Sequence, residues 1–240
     1  MFDNVLASVR IGAAEVDTLL ESDTVRPGET LSTQVVVDGG NVDQDIEAIE
    51  LELKTKRERD EGSDTYEIGS TRVTGAFTIH EDEQRVFEAD IPIHRETPVT
   101  TLGGRRDHSK VWIDTDLEIE RAIDADDTDY LNVAPTDPMA AMLDAVSAAG
   151  HSLHEVTVDT DIISTGHEDA RLPVDQEIVF KPDGGRDYKE VEVHLLPRAE
   201  VTHVLLEFDY RIKSEQFEAM VIDHDDYSVD SLRREFDRLA

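Results

Sequence analysis

An all-β chain of two β-sandwich lobes joined end to end, with a short helix near the junction and a second helix at the C-terminus, is what the sequence predicts. Three observations predict it. Most of the 240 residues alternate apolar and polar with a period of two, the mark of strands with one buried face. That alternation breaks once in the interior, over residues 132–153, where helix punctuation appears. The tripeptide Asp-Gly-Gly occurs at 38–40 and again at 183–185, each time after a strand-like run and before an alternating one. It marks comparable points of two similar units. Gly39-Gly40 and Gly184-Gly185 are expected to supply the positive φ angles that such connections use.

Taken in order, residues 15–20 and 31–37 are short β-rich runs separated by "RPGE", a turn centred on Pro27 and Gly28. Beyond the first Asp-Gly-Gly, Ile49, Leu51 and Leu53 alternate with Glu50, Glu52 and Lys54. Residues 66–80 read as one or two strands, with Gly69 and Gly75 as bend points. Residues 86–93 and 111–123 add two more. In "PTDPMAAMLDAVSAAG", Thr136 or Asp137 can cap a helix, Pro138 suits its first turn and Gly150 its stop. Met139, Met142, Leu143 and Val146 share one face of that helix. Strands resume at 156–164, 177–180, 188–196, 202–213 and 217–222. The expected division is a lobe over 1–133, the helix and a second lobe over 134–226, and a tail over 227–240.

The balance of 56 acidic against 23 basic residues gives a net charge of −33. Such a surface repels phosphate backbones and anionic headgroups, so neither nucleic acid nor membrane insertion is expected. The acid is spread along the chain, and only six of the basic residues are lysine. That composition suits molar salt, where the Debye length shrinks to about 3 Å and carboxylates keep a protein hydrated. A halophilic source is the reading. There is no cysteine, which removes disulfide and thiolate chemistry. Neither a secretory leader at "MFDNVLASVRIGAAEV" nor an apolar span is seen, so a cytoplasmic protein is expected.

The stretches "LASVRIGAAEVDTLL" (6–20), "RPGETLSTQVVVDGGNVDQDIEAIELELKT" (26–55), "RVTGAFTI" (72–79), "IHRETPVTTLGG" (93–104) and "VWIDTDLEIERAIDADDTDYLNV" (111–133) resemble the sporulation-control protein family of bacilli, which also has relatives outside spore formers. The resemblance continues into the second lobe through the helix at 139–149 and "RLPVDQEIVF". That family is similar to arrestins. The resemblance therefore implies two arrestin-like lobes and a non-enzymatic adaptor for protein partners, with no cofactor.

Motifs for chemistry are sparse. No G-x-S-x-G, H-E-x-x-H or phosphate-loop pattern occurs. His151, His154 and Glu155 offer two nitrogens and a carboxylate, the one alternative site for a metal or small-molecule enzyme. Gly150 is expected to end the helix and splay them. "DADDTDY" at 124–130 lacks the glycine and glutamate that a calcium loop requires. Arg57 and Arg59, and Arg105 and Arg106, read as exposed loop-tip cations.

The tail "YSVDSLRREFDRLA" is an amphipathic helix capped by Ser228 or Asp230, with Leu232, Phe236 and Leu239 on one stripe. Arg233, Arg234 and Arg238 flank it. These six residues are the candidate partner-binding surface, against the plainer expectation that the helix packs on its own lobe. Partner identity is open, as is homo-oligomerisation. A self-associating structural β protein is the third reading.

Overall fold

The computed structural model describes residues 13–58, 62–102, 106–107, 109–120, 124–160, 163–166, 168–210 and 215–240. The N-terminal stretch 1–12, Arg59 and Arg105 lie outside the described residues.

The first lobe packs two sheets face to face. One is antiparallel and three-stranded, ordered β1 (Glu15–Leu20), β3 (Thr30–Asp38), β7 (Gln84–Pro92). The other runs β2 (Thr24–Val25), β10 (Ala125–Val133), β9 (Val111–Ile119), β4 (Gln44–Glu58), β5 (Ser63–Thr74), with β6 (Phe77–Ile79) also on β4. Alternation does the sorting. Leu31, Thr33, Val35 and Val37 turn inward from β3, and Ile49, Leu51 and Leu53 from β4, while their neighbours face water. Each fully buried aliphatic side chain contributes ~1.5–3 kcal/mol. Two hydroxyls meet across the gap, Thr18 Oγ1 and Thr115 Oγ1 at 2.7 Å.

The second lobe has its own core. Among the described residues its strands form one sheet, ordered β15 (Gln216–Asp223), β14 (Val201–Tyr210), β13 (Tyr188–Pro197), β12 (Asp175–Pro182), β11 (His151–Asp159), β8 (Arg106–Asp107). Helices α1 (Asp137–Ala148) and α2 (Val229–Leu239) pack on each other and on one face of that sheet. Pro138 sits in the first turn of α1 and Ala149 caps its end, and Gly150 follows at φ +85°. The two-lobed all-β reading holds. In the second lobe, helices occupy the place that a second sheet takes in the first.

Two sequence expectations are corrected. Gly39 and Gly40 are not among the described glycines at positive φ. Gly39 is required for another reason: a Cβ there would meet the His80 carbonyl oxygen at 2.1 Å, because its N–H donates to Glu83 O at 2.7 Å. That turn carries the chain from one sheet to the other, whereas Gly184 (φ +154°) and Gly185 (φ +77°) close the β12–β13 hairpin. The acidic run at 124–130, which fails the calcium-loop pattern, is largely strand β10, paired with β9. β11 begins at His151, earlier than the expected 156.

The lobes are interlocked. β8 comes from the stretch between β7 and β9, yet it pairs in parallel with β11. Val158 and Val174 are buried in the first lobe's core. Arg57 pairs with Asp159 at 2.7 Å. The nearly buried Glu96 carboxylate accepts from Arg198 at 2.6 Å and from the backbone N–H groups of Arg171 and Leu172.

Candidate functional site

The C-terminal helix shows where its six candidate residues go. Ser228 caps it reciprocally with Ser231, satisfying two of the donors that a helix start leaves open. Leu232 and Phe236 are buried in the second core, and Leu239 packs at its rim. The Phe236 ring meets His151 edge-on at 5.1 Å and tilts against Phe208 at 6.1 Å. The arginines stay outside. Arg233 pairs with Asp237 at 3.3 Å, Arg238 with Glu235, and Arg234 has no ion pair among the described residues. Arg186, from the β12–β13 connection, ties Asp237 to the body at 2.6 Å.

His151, His154 and Glu155 do not assemble. They lie on a strand, with a bulge between Leu153 and Glu155, so successive side chains are sent to opposite faces. His151 turns into the core, where its Nε2 and the Tyr188 hydroxyl lie 2.7 Å apart and the two rings stack. Burial holds the His151 imidazole below its usual range and pushes the Tyr188 phenol up to about 12. Both are neutral at neutral pH, a hydrogen-bonded plug under Phe236. Among the described residues these three do not bring ligating atoms within 4.8 Å of one another.

A different titratable cluster occupies the sheet's helix-free face, and sequence reading missed it. On β13, Val191, Val193 and Leu195 enter the helix-covered core, so Glu190, Glu192 and His194 point the other way. The β13–β14 register sets Glu207 directly opposite Glu192. Ligating atoms of Glu192, His194 and Glu207 all lie within 4.8 Å of one another. The His194 side chain is only 1 % exposed, with Nδ1 at 2.5 Å from Asp175 Oδ2. Burial pulls the His194 pKa down, but the hydrogen bond and charge of Asp175 outweigh it and hold the imidazole above its usual range. Burial, with Glu177 and Glu207 nearby, pushes Glu192 up to about 7. The signal was a Glu-x-His pair on an alternating strand, whose third member comes from register rather than spacing.

Two surfaces suit contact with another molecule. A shallow depression of about 580 Å³ crosses the outer side of β1, β3 and β7, lined by Leu19, Ser32, Gln34 and Glu88 among others. β15 ends the large sheet, with β14 as its one strand partner among the described residues. It exposes Phe217 (56 %) and Val221 (50 %). No described helix is long and apolar enough to cross a membrane.

The chain is similar to known proteins over most of its length. The family model described as SpoOM protein matches residues 2–212. The sporulation-control protein spo0M of Bacillus subtilis (strain 168) is 33 % identical over 219 residues, covering 88 % of this chain and 81 % of the relative. The crystal structure of Spo0M, sporulation control protein, from Bacillus subtilis superposes with a TM-score of 0.81 at 28 % identity, covering 95 % of this chain and 98 % of that one.

Proposed function

Because the chain belongs to the Spo0M family of sporulation-control proteins, we propose that it works as a non-enzymatic, arrestin-like adaptor in the cytoplasm of a halophile. A strand of a protein partner adds to its open sheet edge. The observation that supports this is β15. An edge strand presents a row of backbone donors and acceptors, and natural proteins usually blunt it with lysine, proline or a cover. β15 has neither lysine nor proline, runs for eight residues, and turns Phe217, Ala219 and Val221 to one face. That combination fits strand addition, with backbone bonds giving affinity and alternate side chains giving selectivity. The tail arginines, 233, 234 and 238, extend the same proposal as a secondary contact for an acidic partner segment.

The test is a single variant, Phe217→Asp with Val221→Asp, compared with wild type as bait in molar KCl. The expected result is an unchanged melting temperature with loss of one specific co-purifying protein. Retention of that protein would remove β15 as the docking edge. If the edge pairs with a second copy instead, light scattering will show a wild-type dimer that the variant lacks, which favours the structural, self-associating reading.

A further inference from the structure

The geometry points to a divalent transition-metal site on the helix-free face of the second sheet, with Glu192, His194 and Glu207 as ligands and Asp175 as the residue that orients the histidine. This inference does not rest on the adaptor reading.

The carrying observation is the state of His194. Its Nδ1 is engaged by Asp175, which fixes the ring and directs Nε2 outward from that contact. Nε2 is buried and has no hydrogen-bond partner among the described residues. Its nearest carboxylate oxygen, Glu192 Oε2, stands at 4.0 Å, beyond hydrogen-bond reach. A proton on Nε2 therefore lacks an acceptor, and a bare lone pair would face two carboxylates. Neither state satisfies the nitrogen. A cation held at Nε2 by the two neighbouring carboxylates satisfies the nitrogen.

The dimensions agree. Nitrogen and oxygen ligands at ~2.1 Å from a tetrahedral zinc ion stand ~3.4 Å apart. The observed 4.0 Å between Nε2 and Glu192 closes to that value with a small rotation of the glutamate, whose side chain is 27 % exposed and free to turn. Glu192 and Glu207 sit directly across from each other on adjacent strands, a placement that destabilises a sheet when both are charged. Among the described residues no lysine or arginine pairs with Glu192, although Lys181 and Lys189 pair with Glu190 and Asp209 on the same sheet. Asp175 supplies the carboxylate behind the imidazole that metal-binding histidines characteristically have, and it is itself buried.

Ligand type narrows the ion. Imidazole favours zinc and its neighbours over magnesium or calcium, which take all-oxygen shells. Potassium at molar concentration competes weakly for a nitrogen. Three protein ligands leave one position of a tetrahedral ion for water or for a side chain of a bound partner.

The test uses chelator-stripped full-length protein in molar KCl, titrated with zinc chloride by calorimetry and with cobalt chloride by visible spectroscopy. One equivalent of zinc is expected to bind and raise the melting temperature, and cobalt is expected to give the intense band of a low-coordinate nitrogen–oxygen site. His194→Gln should abolish both. Asp175→Asn should weaken zinc ~10–100-fold while keeping one equivalent. Should His194→Gln fail to fold, Glu192→Gln with Glu207→Gln decides. That pair keeps the side-chain size while removing both carboxylates, so circular dichroism should show the metal-free fold retained, with zinc uptake lost. Three results would overturn the site: no stoichiometric zinc uptake by wild type, equal uptake by the double glutamine variant, or a magnesium effect as large as that of zinc. The last two would mean diffuse attraction to an acidic surface.

Discussion

The two lobes bury their sheets by different means, and their contents differ accordingly. In the first, sheet covers sheet, and the described core is aliphatic, built from isoleucine, leucine and valine with threonine as the recurrent buried polar residue. In the second, helices cover one sheet, and the core gathers Phe180, Tyr188, Phe208 and Phe236 with three methionines. Flat, interdigitating β-branched side chains suit the narrow gap between two pleated surfaces. A helix lies over a sheet less evenly, and large rings and flexible thioethers fill the irregular space. Both described helices lie on one face of that sheet, and the opposite face carries none of them. Buried His194 and Asp175 are found there. The titratable cluster collects on the face that the helices do not cover.

The largest effect that can test this contrast is removal of the key ring. Phe236→Ala deletes a fully buried aromatic and should cost about 3–5 kcal/mol. Hydrogen exchange should show the lost protection concentrated on β13, β14 and α1. Equal loss in β4 and β9 would show that the two cores melt as one.

A smaller change asks to which core a residue belongs. Val174 precedes β12 in sequence but is buried with the first lobe's side chains. Val174→Ala should cost about 2 kcal/mol, and exchange should speed up on the first lobe's strands. Faster exchange confined to β12 and β13 would place it with the second.

Protonation gives a graded test of the first lobe. Asp127 and Asp129 point inward from β10 toward β1, where Asp127 accepts from the Thr18 N–H at 2.8 Å. Burial, then the charge and hydrogen bond of Asp127 and the charge of Asp17, push Asp129 up to about 7. The folded state thus keeps a proton that the unfolded state releases near 4. The resulting stability is whole below pH 4 and lost as pH rises through 7. Asp129→Asn should become increasingly more stable than wild type between pH 5 and 8.5, followed by melting at fixed salt. Parallel curves would remove this carboxyl from the account.

The smallest effect belongs to the tail's outer face. Arg233→Ala breaks an exposed pair with Asp237 at four-residue spacing, worth about 0.3–0.5 kcal/mol. A loss as large as that of Phe236→Ala would mean that the arginine's stem, not the ring, holds the helix down.

Much of the fold could be read from local pattern. Residues 15–20, the Pro138 start and Gly150 stop of the first helix, and the Ser228 cap of the second all carried their own chemistry. Features set by distant partners could not be read. The acid-rich "DADDTDY" does not read as a strand because Asp127 and Asp129 stand on the inward side between the buried Ala125 and Leu131 of β10, where alternation leads one to expect apolar residues. Two Asp-Gly-Gly turns looked equivalent because three letters do not say whether the next strand joins the same sheet. Glu192 and His194 passed as ordinary alternation, since Glu207 reaches them by register across a hairpin. The pairing of β8 with β11 and the residence of Val174 in the other core leave no local trace at all.

That last arrangement gives the molecule an order in time. Synthesis supplies every strand of the first lobe by Val133, yet its core is closed only by Val158 and Val174. At ~5–20 residues per second the 41 positions from 133 to 174 (174 − 133) take ~2–8 s. For that interval the nascent lobe carries an unfilled apolar notch facing the chain still to come. The joint between the lobes is thus the last part of the first core to form, and a growing chain that stalls within those positions offers chaperones an exposed hydrophobic seam.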